Sequence, residues 1–204
     1  FDKFKDMLDY TLEGQHIENK FIHETKDLSK ASEELYLRVI ESKTCYYTVY
    51  GPMQLGAIAA GQSDDMLKIL KEIGTPAGRA FQIVDDLLDM IGDETKTGKK
   101  RYGDLYEGKI TLPVLYAYKN ALPEEKERLN QIYAKKRSEK TQEEIQFIVD
   151  LINKFGGTEY AMKRAKEYGE EATALIEKYK KSLPDNEYTQ TMLSAIEQLY
   201  MREK

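Results

Sequence analysis

Phe81-Gln82-Ile83-Val84-Asp85-Asp86-Leu87-Leu88-Asp89-Met90-Ile91-Gly92-Asp93 decides how the rest of the chain is read. At helical period Gln82, Asp85, Asp86, Asp89 and Asp93 fall on one stripe, and Phe81, Val84, Leu87, Leu88 and Ile91 fill the rest of the circumference. A helix that is apolar on most sides is a buried helix. Aspartate is rarely buried without a partner, and like charges one turn apart destabilise an isolated helix. No Lys or Arg lies between Phe81 and Asp93 to offset that cost. The spacing therefore admits two readings. One is a site for a hard divalent cation such as Mg²⁺, which takes oxygen ligands and keeps several waters; the other is a solvated acidic stripe. Capping by these aspartates is not expected, because they sit mid-pattern or later. Asp64 and Asp65 are different: they follow Ser63, an N-cap candidate, and suit the first turn of a helix.

Working outward, the apolar residues keep a helical spacing almost everywhere, only five prolines interrupt 204 residues, and no strand-like alternation stands out. The expected class is all-α, in one domain spanning 1–204. Helices are predicted from Phe1 to about Glu24, after an N-cap at Ser32, after Asp64, through the aspartate stretch, and from Thr111 onward. Further helices are expected to end at Gly156-Gly157, to cover roughly Thr158–Lys181, and to cover Asn186–Arg202. Gly51-Pro52 is read as a break or kink, and Gly74-Thr75-Pro76 as the separator between the Asp64 helix and the aspartate helix. The chain opens at Phe1 inside a helical pattern and is read as a fragment.

Several function classes are disfavoured by composition. A net charge of -5 is not that of a general nucleic-acid surface. No apolar run approaches the roughly 20 residues of a membrane helix. A single cysteine, Cys45, precludes an internal disulfide framework and fits a reducing compartment, so a cytoplasmic location is expected. His16 and His23 lie near glutamates, but no third ligand has a spacing that fits a histidine metal site. Lys43, in Ser42-Lys43-Thr44-Cys45, stands in a buried-looking helix, as either a snorkelling side chain or an anion ligand. The Asp93–Lys109 stretch carries Lys96, Lys99, Lys100, Arg101 and Lys109 among glycines. It is read as a loop, either an anion-collecting lid or a solvated segment. Gly56-Ala57-Ile58-Ala59-Ala60-Gly61 offers a small-residue surface, expected in a core or subunit contact.

The Phe-Gln-x-x-Asp-Asp-x-x-Asp run, followed by Thr97-Gly98-Lys99 and Glu107-Gly108-Lys109-Ile110-Thr111-Leu112-Pro113, resembles the second aspartate-rich motif and its sequel in the trans-isoprenyl diphosphate synthases (polyprenyl synthetases). Ser42-Lys43-Thr44, Gly14-Gln15, Leu55-Gly56-Ala57 and Gly156-Gly157-Thr158-Glu159-Tyr160-Ala161 are similar to further landmarks of that family, so the resemblance covers essentially the whole chain. Two departures stand out. The family's first aspartate-rich motif, N-terminal to Gly14-Gln15, does not occur here, so the chain is expected to correspond to the C-terminal two-thirds of such a domain and to be inactive alone. Glu18 also stands where the family often has Asp.

The resemblance implies a bundle of long antiparallel helices around a central cavity, and prenyl transfer between isopentenyl diphosphate and an allylic diphosphate, giving geranyl, farnesyl or geranylgeranyl diphosphate. It implies Mg²⁺ as cofactor with Asp85, Asp86 and Asp89 as metal ligands. Lys43, Lys99 and Lys109 would bind diphosphate, with Gln15 and Phe81 lining the site. Thr44 and Gln82 would place oxygens near the cationic carbon, so the catalytic set becomes Lys43, Thr44, Gln82 and Asp85. A homodimer is expected, with part of its interface between about Pro52 and Ile73; no nucleic-acid partner and no membrane insertion are expected. The rival readings are a non-catalytic subunit of a heteromeric prenyl synthase and a class I terpene cyclase.

Overall fold

The structure, a computed structural model, describes residues 2–91 and 101–200. Every regular element among the described residues is helical. The α-helices are α1 (Asp2–Lys20), α2 (Glu33–Ile40), α3 (Gly51–Ala59), α4 (Asp64–Ile91), α5 (Gly103–Glu107), α6 (Leu112–Asn120), α7 (Pro123–Tyr133), α8 (Gln142–Phe155), α9 (Gly157–Tyr179) and α10 (Glu187–Tyr200). Two π-helical stretches join them, Phe21–Thr25 after α1 and Glu41–Tyr50 between α2 and α3.

The helices begin and end where local chemistry dictates. Ser32 Oγ accepts the Leu35 N–H at 3.1 Å and Ser63 Oγ accepts that of Met66 at 3.3 Å, so both serines cap as expected. Thr141 and Glu144 exchange side-chain and backbone hydrogen bonds at the start of α8. Gly156 closes α8 with φ 71°, a conformation that glycine adopts without a Cβ penalty.

One expected boundary is absent. Gly74-Thr75-Pro76 does not separate two helices, for α4 runs unbroken over 28 residues with Pro76 inside it. The glycines there serve close approach instead. A Cβ at Gly74 would lie 2.6 Å from Tyr50 Cβ, and one at Gly78 would lie 2.7 Å from Cys45 Sγ. Packing of α4 against the π-helix thus outweighs the breaking tendency of the Gly-Thr-Pro sequence. Gly51-Pro52 likewise marks a change of helix type, with Pro52 in the first turn of α3 where a missing N–H costs nothing.

Contacts divide the chain into two compact units. The first comprises residues 2–15, 38–84 and 164–200; the second comprises 16–37, 85–91 and 101–163. The first unit has one core of Val49, Leu70, Ile73, Ala77, Ala172, Ile176, Leu183 and Ile196, and a smaller cluster of Met7, Cys45, Tyr46 and Tyr50. The second unit is centred on Leu28, Met90, Leu105, Val114, Leu129, Ile132, Ile148 and Ile152. Each fully buried aliphatic side chain contributes roughly 1.5–3 kcal/mol. No helix among the described residues is long and apolar enough to cross a membrane.

Candidate active site

The residues singled out in the sequence divide between the two units, and each half has its own local logic. In the first unit the π-helix Glu41–Tyr50 carries Lys43 and Thr44. Wide i→i+5 turns of this kind are rare and are frequently found at functional sites. The Thr44 hydroxyl donates to Gln82 Oε1 at 2.7 Å, so two of the expected catalytic residues are brought together with their oxygens side by side. Lys43 is half-buried, one residue from the fully buried Ser42. Gly14 lets α1 approach this π-helix closely, since a Cβ there would overlap Ser42 Oγ and lie 3.1 Å from the Lys43 backbone nitrogen, and Gln15 follows it, half-buried. Arg79 ties the start of the π-helix down. Its Nε donates to Glu41 Oε1 at 2.9 Å, and its guanidinium stands 5.0 Å from the Tyr168 ring. Arg79, Glu41 and Tyr168 carry no motif and were not singled out in the sequence.

In the second unit the three aspartates do different things. Asp85 is half-buried, and among the described residues its carboxylate has no hydrogen bond or ion pair. Asp86 is 7% exposed, and its Oδ2 accepts the Tyr36 hydroxyl at 2.7 Å. Asp89 Oδ2 accepts the Asp104 N–H at 3.0 Å, and its backbone oxygen accepts the Tyr102 N–H at 2.9 Å. Asp89 therefore anchors the start of α5. Capping is excluded for these aspartates within their own helix, as the pattern required, yet one of them binds the first turn of the next helix. Among the described residues no group of three or more His, Cys, Asp or Glu side chains is placed to hold a metal ion. Asp85, Asp86 and Asp89 do not form a three-carboxylate cage, then. Their chemistry fits a cation that takes one or two carboxylate oxygens and completes its shell with water or phosphate oxygens, as Mg²⁺ does. His16 and His23 are exposed and take no part.

The segment read as one loop from Asp93 to Lys109 contains a helix, α5, over Gly103–Glu107. Lys99, with Lys96 and Lys100, lies outside the described residues. Lys109 lies just past α5. Its ammonium donates to Asp104 Oδ1 at 2.6 Å and lies 3.4 Å from Glu107 Oε2. Burial alone would lower its pKa, but the Asp104 hydrogen bond and charge, with Glu107 and Glu18, hold it above the ordinary lysine range. Lys109 is thus a fixed cation at neutral pH, already paired with carboxylate oxygens that an anionic ligand would replace.

Carboxylate oxygens on one helix and a lysine just beyond it are groups to which hard cations and anions bind. The chain belongs to the polyprenyl synthetase family, whose profile matches residues 1–152. It is 39% identical over 153 residues to the heptaprenyl diphosphate synthase component 2 of Bacillus subtilis, a match covering 74% of this chain and 42% of that protein. To the geranylgeranyl diphosphate synthase of Saccharolobus solfataricus it is 33% identical over 170 residues, covering 83% and 49%. The structure resembles that of the geranylgeranyl pyrophosphate synthase of Corynebacterium glutamicum, determined with isoprenyl diphosphate and magnesium. That match has a TM-score of 0.83 and 28% identity, and covers 99% of this chain and 55% of that one. The polyprenyl synthase of Caulobacter crescentus, determined with calcium and isoprenyl diphosphate, matches with a TM-score of 0.82 at 26% identity, covering 100% and 58%. The fold is accordingly the all-α isoprenyl synthase type. The chain spans about half the length of the curated relatives it matches.

Proposed function

We propose that this chain supplies the second aspartate-rich half of an isoprenyl diphosphate synthase, which condenses isopentenyl diphosphate with an allylic diphosphate. The observation that carries this reading is the half-buried carboxylate of Asp85, which among the described residues has no hydrogen bond or ion pair, on a helix otherwise packed into a core. Unpaired charge at a half-buried position is unfavourable unless a ligand takes it up. A divalent cation, when bound, would neutralise the charge of a departing diphosphate.

The chain's own residues do the rest. Asp85 would hold the cation. Asp86 and Asp89 keep the acidic turn in place through Tyr36 and α5, and would add negative charge beside a cation held there. Lys43, Lys99 and Lys109 add positive charge where the carbon–oxygen bond to diphosphate breaks. Thr44 and Gln82, joined at 2.7 Å, present oxygen dipoles to the allylic cation that remains. The isopentenyl double bond attacks that cation, a carbon–carbon bond forms, and a proton leaves, with the released diphosphate as its acceptor. Gln15 and Phe81 line the approach. The relatives' names run from geranylgeranyl to octaprenyl diphosphate synthase, a wider range than geranyl, farnesyl and geranylgeranyl diphosphate.

The first test is calorimetric titration of this chain with inorganic pyrophosphate, with and without Mg²⁺. Binding that needs Mg²⁺ and is lost in Asp85→Asn is expected; metal-independent binding would sink the role of Asp85. The second is incorporation of radiolabelled isopentenyl diphosphate by a chain that also carries the first aspartate-rich motif. There Asp85→Asn should lower turnover at least ~100-fold, the scale of one lost contact to a developing charge. Full turnover in that variant would return this helix to a purely structural role.

Assembly has a second reading. Similarity to a protein named as component 2 of a heptaprenyl diphosphate synthase favours a heteromeric enzyme. Transfer activity that appears only with a second, different polypeptide would support it.

A further inference from the structure

Lys140 is a lysine in an apolar place. It is 6% exposed and follows the turn Arg137–Glu139 after α7. Its ammonium donates to the Leu105 carbonyl at 2.9 Å and stands 5.1 Å from the centre of the Tyr133 ring. No carboxylate pairs with it directly among the described residues. Three groups on one short segment then connect it to Lys109. Gly108, with φ 81°, ends α5, and its N–H donates to the Asp104 and Leu105 carbonyls at 2.9 and 3.2 Å. A Cβ at Gly108 would lie 3.1 Å from Lys140 Nζ, so the ammonium sits directly against this turn. The Tyr133 hydroxyl donates to the Lys109 carbonyl at 3.2 Å. Lys140 and Tyr133 thus grip the C-terminal end of α5 from one side, while Asp89 holds its N-terminal end.

We propose that Lys140 is a positioning residue for Lys109: its ammonium, with Tyr133, clamps the end of α5 so that Lys109 is presented to an anionic diphosphate. This rests on the diphosphate reading of the site. Cations near the last carbonyls of a helix are stabilising, and a clamp made by charge is lost when the charge is lost. The charged groups facing Lys140 are Lys26, which repels it, and Glu144 and Glu107, which favour its charge. Glu144 is already paired with Lys135, and Glu107 with Arg137 and Lys109. Burial, reinforced by Lys26, pushes the Lys140 ammonium down to about 8. The clamp is therefore charged at pH 7 and largely neutral at pH 9, while Lys109 stays charged throughout.

The experiment is titration of the full chain with inorganic pyrophosphate and Mg²⁺ at pH 7 and pH 9, comparing wild type with Lys140→Arg, Lys140→Met and Lys109→Ala at each pH. An arginine keeps its charge at pH 9. Wild type and Lys140→Arg should bind alike at pH 7. At pH 9 Lys140→Arg should bind more tightly by about three- to tenfold. Lys140→Met should bind weakly at pH 7 and show no further loss on going to pH 9 beyond that of Lys140→Arg. Circular dichroism of each variant confirms folding, and rescue by Arg but not Met separates charge from packing. An unchanged ratio of wild type to Lys140→Arg between the two pH values overturns the clamp while leaving the diphosphate reading intact. Pyrophosphate binding that is absent, or that Lys109→Ala leaves unchanged, removes the diphosphate reading and the clamp with it.

Discussion

Asp85 and Lys140 are a carboxylate and an ammonium that no opposite charge pairs with directly among the described residues. Asp85 stands beside Asp86 and one turn from Asp89, where like charges cost a few tenths of a kcal/mol per pair. Asp85→Asn should therefore leave stability level or raise it by up to about 0.5 kcal/mol in urea unfolding, even as cation-dependent binding is lost. A drop of several kcal/mol would mean that Asp85 is held by protein contacts after all. For Lys140 the sign runs through pH. Its folded value of about 8 lies below the ordinary 10.5, so the unfolded chain binds the extra proton between those values, and stability rises with pH across that window. Relative to Lys140→Met, wild type should gain about 3 kcal/mol between pH 8 and 10.5, read as the difference between two urea midpoint series. A flat difference would show that the ammonium is not desolvated. The first behaviour is legible in the sequence, as the spacing of the acidic stripe; the second is not. Lys140 stands in a polar stretch of lysines and glutamates, and nothing in that stretch signals its approach to Leu105, Gly108 and Tyr133.

The helix α4 shows what an element adds to its residues. Its apolar period and its Ser63 cap were readable, and so was the acidic stripe. Its continuity through Gly74-Thr75-Pro76 was not, because a glycine without a Cβ signals a turn and a close approach equally well. The helix α5 was missed for a related reason: five residues cannot form a helix by propensity, and this one is held at both ends by Asp89, Tyr133 and Lys140. The two kinds of glycine can be told apart by substitution. Gly78→Ala would drive a Cβ to 2.8 Å from Cys45 Cα, within a backbone contact that cannot swing aside, and should cost about 1–3 kcal/mol. Gly56→Ala, in a helix with nothing within 4 Å of the new methyl, should stabilise by about 0.5–1 kcal/mol. Thermal melts of the two variants check this, and equal shifts would contradict it.

For the whole molecule, the helical class and most helix positions followed from apolar periodicity, because burial of one stripe dominates the energetics of each helix. The division of the site residues between two compact units did not, since sequence spacing carries no record of which helices pack together. Self-association is the property at this scale that remains a proposal. Gly56 and residues 58–65 are exposed, with Ile58 43% exposed among small neighbours. We expect a homodimer that uses this face, because obligate contacts between identical chains are apolar. Light scattering at micromolar concentration should give twice the chain mass, and Ile58→Glu should halve it. A monomeric wild type would leave the face without that role.

The π-helix Glu41–Tyr50 has a consequence for how the chain can be edited. In an α-helix each residue turns the next side chain by about 100°, and a π-helix turns it by less because its hydrogen bonds reach one residue further. The stretch thus works as a phase shifter: Val49 and Tyr50 are set in the core at one end while Lys43 and Thr44 are aimed from the other. Substituting the exposed Tyr47 should be nearly silent, whereas deleting it would let the segment relax to an α-helix and rotate Lys43 relative to its anchors. Length, more than identity, is then the constrained quantity at positions 47 and 48.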